Sequence, residues 1–174
     1  EYNKPDDVLP LWVADMDFQS PEGVRKALEN AVSHGVFGYT KADEKYYRAV
    51  CNWYSSRFHW TPEYEWLVCT PGVVFALSMA LRTFTKEGDG VVIQPPVYHP
   101  FERAILRNSR KLAANPLVLR DGHYKMDSEQ LEKTIVENNA SLMILCNPHN
   151  PVGRVWTREE LESLSRICLK YNVF

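Results

Sequence analysis

"LMILCNPHNPVGRVWTREELESL", residues 142–164, joins a continuously apolar run to a helix through a loop with two Asn-Pro pairs. The run Leu142–Cys146 shows no polar alternation, so it reads as a strand buried on both faces. Residues before proline are pushed out of helical conformation, which makes 147–153 stiff, irregular backbone at the strand's exit. Thr157 and Glu160 have the spacing of a capping box for the helix that follows. A structural turn needs one Asn or Gly, whereas this loop carries two asparagines whose positions are fixed by proline. One amide can cap the local backbone and the other can face a ligand.

Outward from that unit the same alternation continues. "DSEQLEKTIVEN" (127–138) reads as a helix with Asp127 and Gln130 placed like a capping box, preceded by short extended pieces at 117–119 and 124–126. A helix covers about 100–108, "PPVYHP" (95–100) is a stiff loop, and "VVIQ" (91–94) is a strand. "VVFALSMALRTF" (73–84) is an apolar helix that stops before the turn "EGDG", and "WLVC" (66–69) is a strand candidate. A helix spans about 41–58, with Tyr46, Val50, Trp53, Tyr54 and Arg57 at helical spacing. In "SPEGVRKALENAVSHG" (20–35), Ser20 is placed to cap, Pro21 takes the first helical position and Gly35 ends the helix. Residues 9–18 read as extended, and "NVF" at 172–174 opens a further apolar run. Apolar strands alternating with helices predict an α/β fold: three layers, α/β/α, around a mainly parallel sheet.

The 174 residues suffice for one domain with a core. A net charge of −2, from 20 basic and 22 acidic residues, gives no electrostatic footprint for nucleic acid or an anionic membrane. No apolar run approaches the roughly 18–20 residues of a membrane span, and no basic-then-apolar leader opens the chain. Cys51, Cys69, Cys146 and Cys168 show no CxxC spacing; buried free thiols in a reducing, cytoplasmic setting are the expectation. The dispersed histidines offer no zinc spacing, so no metal site is expected.

In an open α/β sheet, ligands bind at the carboxyl ends of the strands. Three such ends carry unusual loops here: "TPGVV" (70–74), "PPVYHP" and "CNPHNPVGR" (146–154). The first is either a plain strand-to-helix turn or an anion cradle, since a helix N-terminus presents free N–H groups and Gly72 lets an anion approach. Tyr98 is either a core aromatic or a platform for a flat ligand. There is neither a GxGxxG nor a P-loop motif.

In this order, "FGYT" (37–40), "PGVVFAL" (71–77), "QPPVYHPF" (94–101) and above all "CNPHNPVGRVWTREEL" resemble the class I/II aminotransferase superfamily of fold type I, whose members use pyridoxal 5′-phosphate (PLP). "LWVADMDF" (11–18) is similar to the branch of cystathionine β-lyases and C–S lyases that includes the maltose regulon modulator. The resemblance implies that the backbone of Gly72, Val73 and Val74 holds the cofactor phosphate. Tyr98 would stack on the pyridine ring and Asn150 would bond its 3-oxygen. Asn147 would brace the loop or touch the cofactor. Tyr39 would reach the phosphate in the other subunit of a homodimer with shared sites. Ala14 would line the entrance for a small amino-acid substrate.

The same resemblance implies a domain division: 1–36 as N-terminal arm and first helix of the small domain, and 37–174 as the first part of the large PLP-binding domain. It places the Schiff-base lysine, the aspartate for the pyridine nitrogen and the arginine for the substrate carboxylate beyond Phe174, so no catalytic residue is assigned in this chain. The expected reaction of the whole protein is PLP-dependent β-elimination of a sulfur amino acid, giving pyruvate, ammonia and a thiol. An aminotransferase on the same scaffold is the alternative, and a cofactor-free or regulatory role is the alternative of another kind.

Overall fold

The computed structural model describes residues 7–9 and 12–174. They form two compact units that meet in sequence between Leu67 and Val68.

The first unit is helical. Helix α1 (Glu22–His34) ends on Gly35, whose left-handed φ of 71° turns its N–H back to the Ala31 carbonyl. Ser20 does not cap this helix. Pro21 occupies the cap position, its carbonyl accepts from Val24 and Arg25, and no side-chain cap is made. Helix α2 (Glu44–Phe58) is capped by Asp43, whose carboxylate accepts from the Tyr46 N–H at 3.0 Å. A short 3-10 helix (Tyr64–Trp66) follows. It stands where the strand "WLVC" was expected, and residues 67–70 join no ladder. Part of 9–18 lies outside the described residues; within the rest, Ala14 has φ 62° and Asp15 N–H bonds the Trp12 carbonyl, which makes a turn rather than an extended segment.

The second unit is the three-layer sandwich. Helix α3 (Val73–Phe84) leads into strand β1 (Gly90–Ile93), then α4 (Pro100–Arg107) and β2 (Lys111–Ala114). An antiparallel hairpin, β3 (Val118–Arg120) with β4 (His123–Lys125), precedes α5 (Ser128–Glu137), β5 (Ala140–Met143) and α6 (Arg158–Lys170). The sheet is parallel, in the order β2-β1-β5. Strand β1 is therefore central and buried on both faces, which is why its four residues alternate nothing. Val91 and Ile93 point to one face, where Leu77 and Leu81 of α3 and Phe101, Ala104 and Ile105 of α4 cover them. Val92 points to the other, against Leu131 and Ile135 of α5 and Leu164 and Ile167 of α6.

Two details fix the register. Gly90 pairs with Ala140 while Val91 pairs with Leu142, so Ser141 is an extra residue in β5, a bulge. At the same point a Cβ on Gly90 would lie 2.5 Å from the Asn138 carbonyl oxygen, so only glycine allows this approach. At the opposite edge of β5, Phe174 N–H bonds the Ser141 carbonyl and the Phe174 carbonyl accepts from Met143; of the expected apolar run at 172–174 only Phe174 lies along the sheet, since Asn172 turns at φ 52° and the Val173 N–H bonds the Cys168 carbonyl.

The end of the sandwich where β1 begins is fastened by Arg110. Its buried guanidinium donates to the Thr85 hydroxyl and carbonyl (2.8 and 2.7 Å), to the Leu81 carbonyl (3.3 Å) and to the Asn108 carbonyl. It thereby satisfies the Thr85 and Asn108 carbonyls just past the C-termini of α3 and α4, and adds a donor to the Leu81 carbonyl, which already accepts from the Thr85 N–H. The thiols are less uniform than expected: Cys51 is buried, Cys146 and Cys168 are half-buried, and Cys69 is exposed. Burial raises the Cys168 thiol above its ordinary pKa.

Candidate functional site

Chain direction places three of the expected segments at one end of the sandwich. Helix α3 runs back along β1, so its N-terminus lies at the carboxyl end of that strand. Strand β1 leaves there through 95–99 into α4 on one face, and its neighbour β5 leaves through 144–156 into α6 on the other. Adjacent parallel strands whose continuations diverge to opposite faces open a crevice between them. The crevice between β1 and β5 is flanked by the loop carrying Tyr98 and the loop carrying Asn147 and Asn150.

At the start of α3, Gly72 adopts φ 144° and ψ 160°, a region open essentially to glycine alone. Its carbonyl accepts the first intrahelical bond, from Ala76 at 3.1 Å, and the Thr70 hydroxyl at 3.2 Å. No side chain caps this helix and no acid stands in its first turn. The N–H groups of Val73, Val74 and Phe75, on exposed residues, are open donors of that first turn.

Tyr98 is 39% exposed, edge-on to Phe101 with centroids 5.8 Å apart and planes at 90°. Its backbone carbonyl accepts from the Phe101 N–H, which starts α4, so the ring is set by the strand-to-helix transition. At the exit of β1, Gln94 and Asn115 form a fully buried amide pair, Gln94 Nε2 donating to Asn115 Oδ1 at 3.0 Å.

The 144–156 loop is closed by Trp156, 3% exposed. Its N–H donates to Asn147 Oδ1 (3.3 Å) and its Nε1 donates to the Cys146 carbonyl (3.0 Å). His149 and Arg154 form an isolated antiparallel bridge across the loop. The Arg154 guanidinium lies 4.8 Å over the Trp156 ring and pairs with Glu160 at 2.5 Å. Glu160 also completes the expected capping box with Thr157, so the loop is bound directly to the start of α6. Asn147 thus has its oxygen engaged within the loop. The exposed Asn150 donates its backbone N–H to Cys146 Sγ at 3.4 Å, while its side-chain amide makes no hydrogen bond among the described residues. Both Asn-Pro bonds and Pro95–Pro96 are cis.

Ala14 and Tyr39 belong to the first unit and are both exposed there. Sequence reasoning assigned nothing to Gln94, His149 or Trp156. Gln94 and His149 are almost completely buried, with Gln94 Oε1 and His149 Nδ1 left without partners. A polar residue directly after an apolar β1 was the available sign for Gln94. Among the described residues no cluster of three His, Cys, Asp or Glu side chains could hold a metal, and no helix is long and apolar enough to cross a membrane.

The model of the family described as aminotransferase class I and II matches residues 6–174. Cystathionine β-lyase PatB of Bacillus subtilis (strain 168) is 49% identical over 167 residues, covering 96% of this chain and 43% of that protein. The solved structure of cystalysin from Treponema denticola, which contains pyridoxal 5′-phosphate, superposes with a TM-score of 0.91 at 40% identity over 98% of this chain and 43% of that one. The PLP-bound C–S lyase from Staphylococcus hominis gives a TM-score of 0.88 at 35% identity, over 94% of this chain and 43% of its own. The chain thus spans less than half the length of the relatives it matches.

Proposed function

Because this chain belongs to the class I and II aminotransferase family, we propose that the whole protein is a PLP-dependent carbon–sulfur lyase. It would release pyruvate, ammonia and a thiol from a sulfur amino acid such as cystathionine. What supports this reading is the topology at the β1/β5 exit: an uncapped helix start, an aromatic ring and an unbonded amide stand on segments that chain direction brings to the same end of the sheet. That donor set fits the cofactor. A phosphate dianion suits open N–H groups at a helix N-terminus without a first-turn acid. A flat pyridine suits the face of Tyr98, and a ring oxygen suits a free Asn150 amide.

When bound, the cofactor supplies an electron sink for charge developing at the substrate's α-carbon. The chain's own part is to hold it. The backbone N–H groups at Gly72, Val73 and Val74 would take the phosphate. Tyr98 would cover one ring face and keep water from it, and the Asn150 amide would donate to the ring oxygen and favour its ionised form. Asn147 is assigned to the loop, because Trp156 occupies its oxygen. Tyr39, fully exposed and following exposed Val36 and Phe37, supports a homodimer in which it reaches the partner's site. Ala14 would border the substrate entrance, and residues 1–36 would belong to the small domain.

The likeness to PatB and to the C–S lyase favours elimination; the family description keeps aminotransfer as the second reading. The full-length protein is given L-cystathionine without a keto acid. Pyruvate release is the expected result, and strict dependence on an added keto-acid acceptor would replace the lyase with the aminotransferase.

A further inference from the structure

His149 stands between the two Asn-Pro pairs and is 1% exposed. Its Nε2 lies 3.0 Å from the carbonyl oxygen of Pro96. A carbonyl only accepts, so Nε2 carries the hydrogen and donates it. Nδ1 meets no partner among the described residues. The ring stands edge-on to Trp156, with centroids 5.4 Å apart and planes at 89°. Its own backbone is clamped as well: the N–H donates to the Arg154 carbonyl at 2.7 Å, and the carbonyl accepts from Gly153 at 2.8 Å.

The imidazole therefore projects from a loop closed on itself and bonds the neighbouring loop. Among the described residues this is the one hydrogen bond joining 95–100 to 147–154. Its acceptor is two residues before Tyr98, and its donor is the residue before Asn150. Beyond this point β1 and β5 no longer share a ladder, so nothing in the sheet sets the gap between the loops.

We propose that His149 is a positioning residue whose Nε2–H bond to the Pro96 carbonyl sets the distance between Tyr98 and Asn150, and so the width of the slot that receives a flat heteroaromatic ligand. The proposal rests on the assignment of Tyr98 and Asn150 to the cofactor. A buried histidine serving only as packing would be replaceable by any ring of similar volume. A spacer needs a donor at the Nε2 position.

The test uses the full-length protein, stripped of PLP and titrated with it, read by dissociation constant and by the visible circular dichroism of the bound cofactor. In His149→Phe the ring volume stays and the donor goes. In His149→Gln a side-chain N–H sits near the Nε2 position, and in His149→Asn it falls short. Phe and Asn variants are expected to bind PLP about tenfold more weakly, the loss of one buried hydrogen bond, with an altered dichroic band. The Gln variant is expected to restore both. Equal behaviour of Gln and Asn, or wild-type binding and dichroism in Phe, overturns the spacer. Should Phe not fold, the Gln/Asn pair still decides. A wild-type protein with no PLP absorbance band refutes the cofactor assignment instead, and this proposal with it.

Discussion

Replacing Gly72 by alanine tests the cofactor reading through backbone geometry alone. The residue sits at φ 144°, ψ 160°, and a Cβ there would meet nothing within 4 Å. No packing is gained or lost, so the cost is the intrinsic penalty of that region for an L-residue, about 1–3 kcal/mol. The protein can meet it in two ways. If the turn keeps its shape, the penalty appears as lower stability of the ligand-free form. If the turn relaxes to negative φ, the peptide leading into Val73 rotates and the helix start no longer presents its N–H groups as before. The penalty then appears in phosphate binding, where it amounts to a roughly 5- to 150-fold weaker affinity for PLP. Denaturant unfolding of the ligand-free protein and a PLP titration, run side by side on the full-length protein, partition the loss. Wild-type values in both would refute the role of Gly72 and the backbone conformation on which it depends.

Three further outcomes follow from the same packing. Gly90→Ala forces a methyl to within 2.5 Å of the Asn138 carbonyl oxygen, and should cost about 1–3 kcal/mol as overpacking; an unchanged denaturant midpoint would contradict the β1/β5 approach. Arg110→Met leaves the Thr85 and Asn108 carbonyls without their donor, while the Leu81 carbonyl keeps the Thr85 N–H, and should lose roughly 2–4 kcal/mol, while PLP affinity of the folded fraction is unchanged. Asp89 is held below the ordinary carboxylate range, first by the Lys86 N–H and then by the Ser141 hydroxyl, Lys86 and Arg110. A depressed carboxylate stabilises the fold above its unfolded pKa of about 3.9 and loses that contribution as pH falls through the lower folded value. Asp89→Asn should flatten the acid limb of the stability curve below about pH 4, and parallel curves would argue against it.

The parts of this fold that were legible in the sequence are those whose information is local. Strand β1 reads as apolar because both of its faces are covered, and the Thr157/Glu160 capping box is complete in the structure. The Asp127/Gln130 pair is only half of one: Asp127 accepts from the Gln130 N–H, but the Gln130 amide turns to Thr134. Strand β2, "KLAA", escaped notice because alanine is a poor strand former; it is a strand because the edge of β1 offers it a ladder. "WLVC" shows the converse, good strand residues that join no ladder. At the site, the prolines marked the loops at 95–100 and 147–151 as stiff, but the choice of Tyr98 and of Asn150 over Asn147 came from the family resemblance. The bond from His149 to Pro96 spans 53 positions and leaves no mark in either neighbourhood.

The placement of tryptophan has an optical consequence. Of the five in the chain, Trp12, Trp53, Trp60 and Trp66 lie in the first unit and are exposed, while Trp156 alone belongs to the second and is buried against the loop that carries Asn150. Its indole should emit to the blue of the others and resist iodide, so that quenching the four leaves a spectrum from a single known position. That residual light reports on the loop itself, from the indole that bonds Asn147 and packs on His149. The chain thus carries its own fluorophore against the loop that the proposed function assigns to the cofactor.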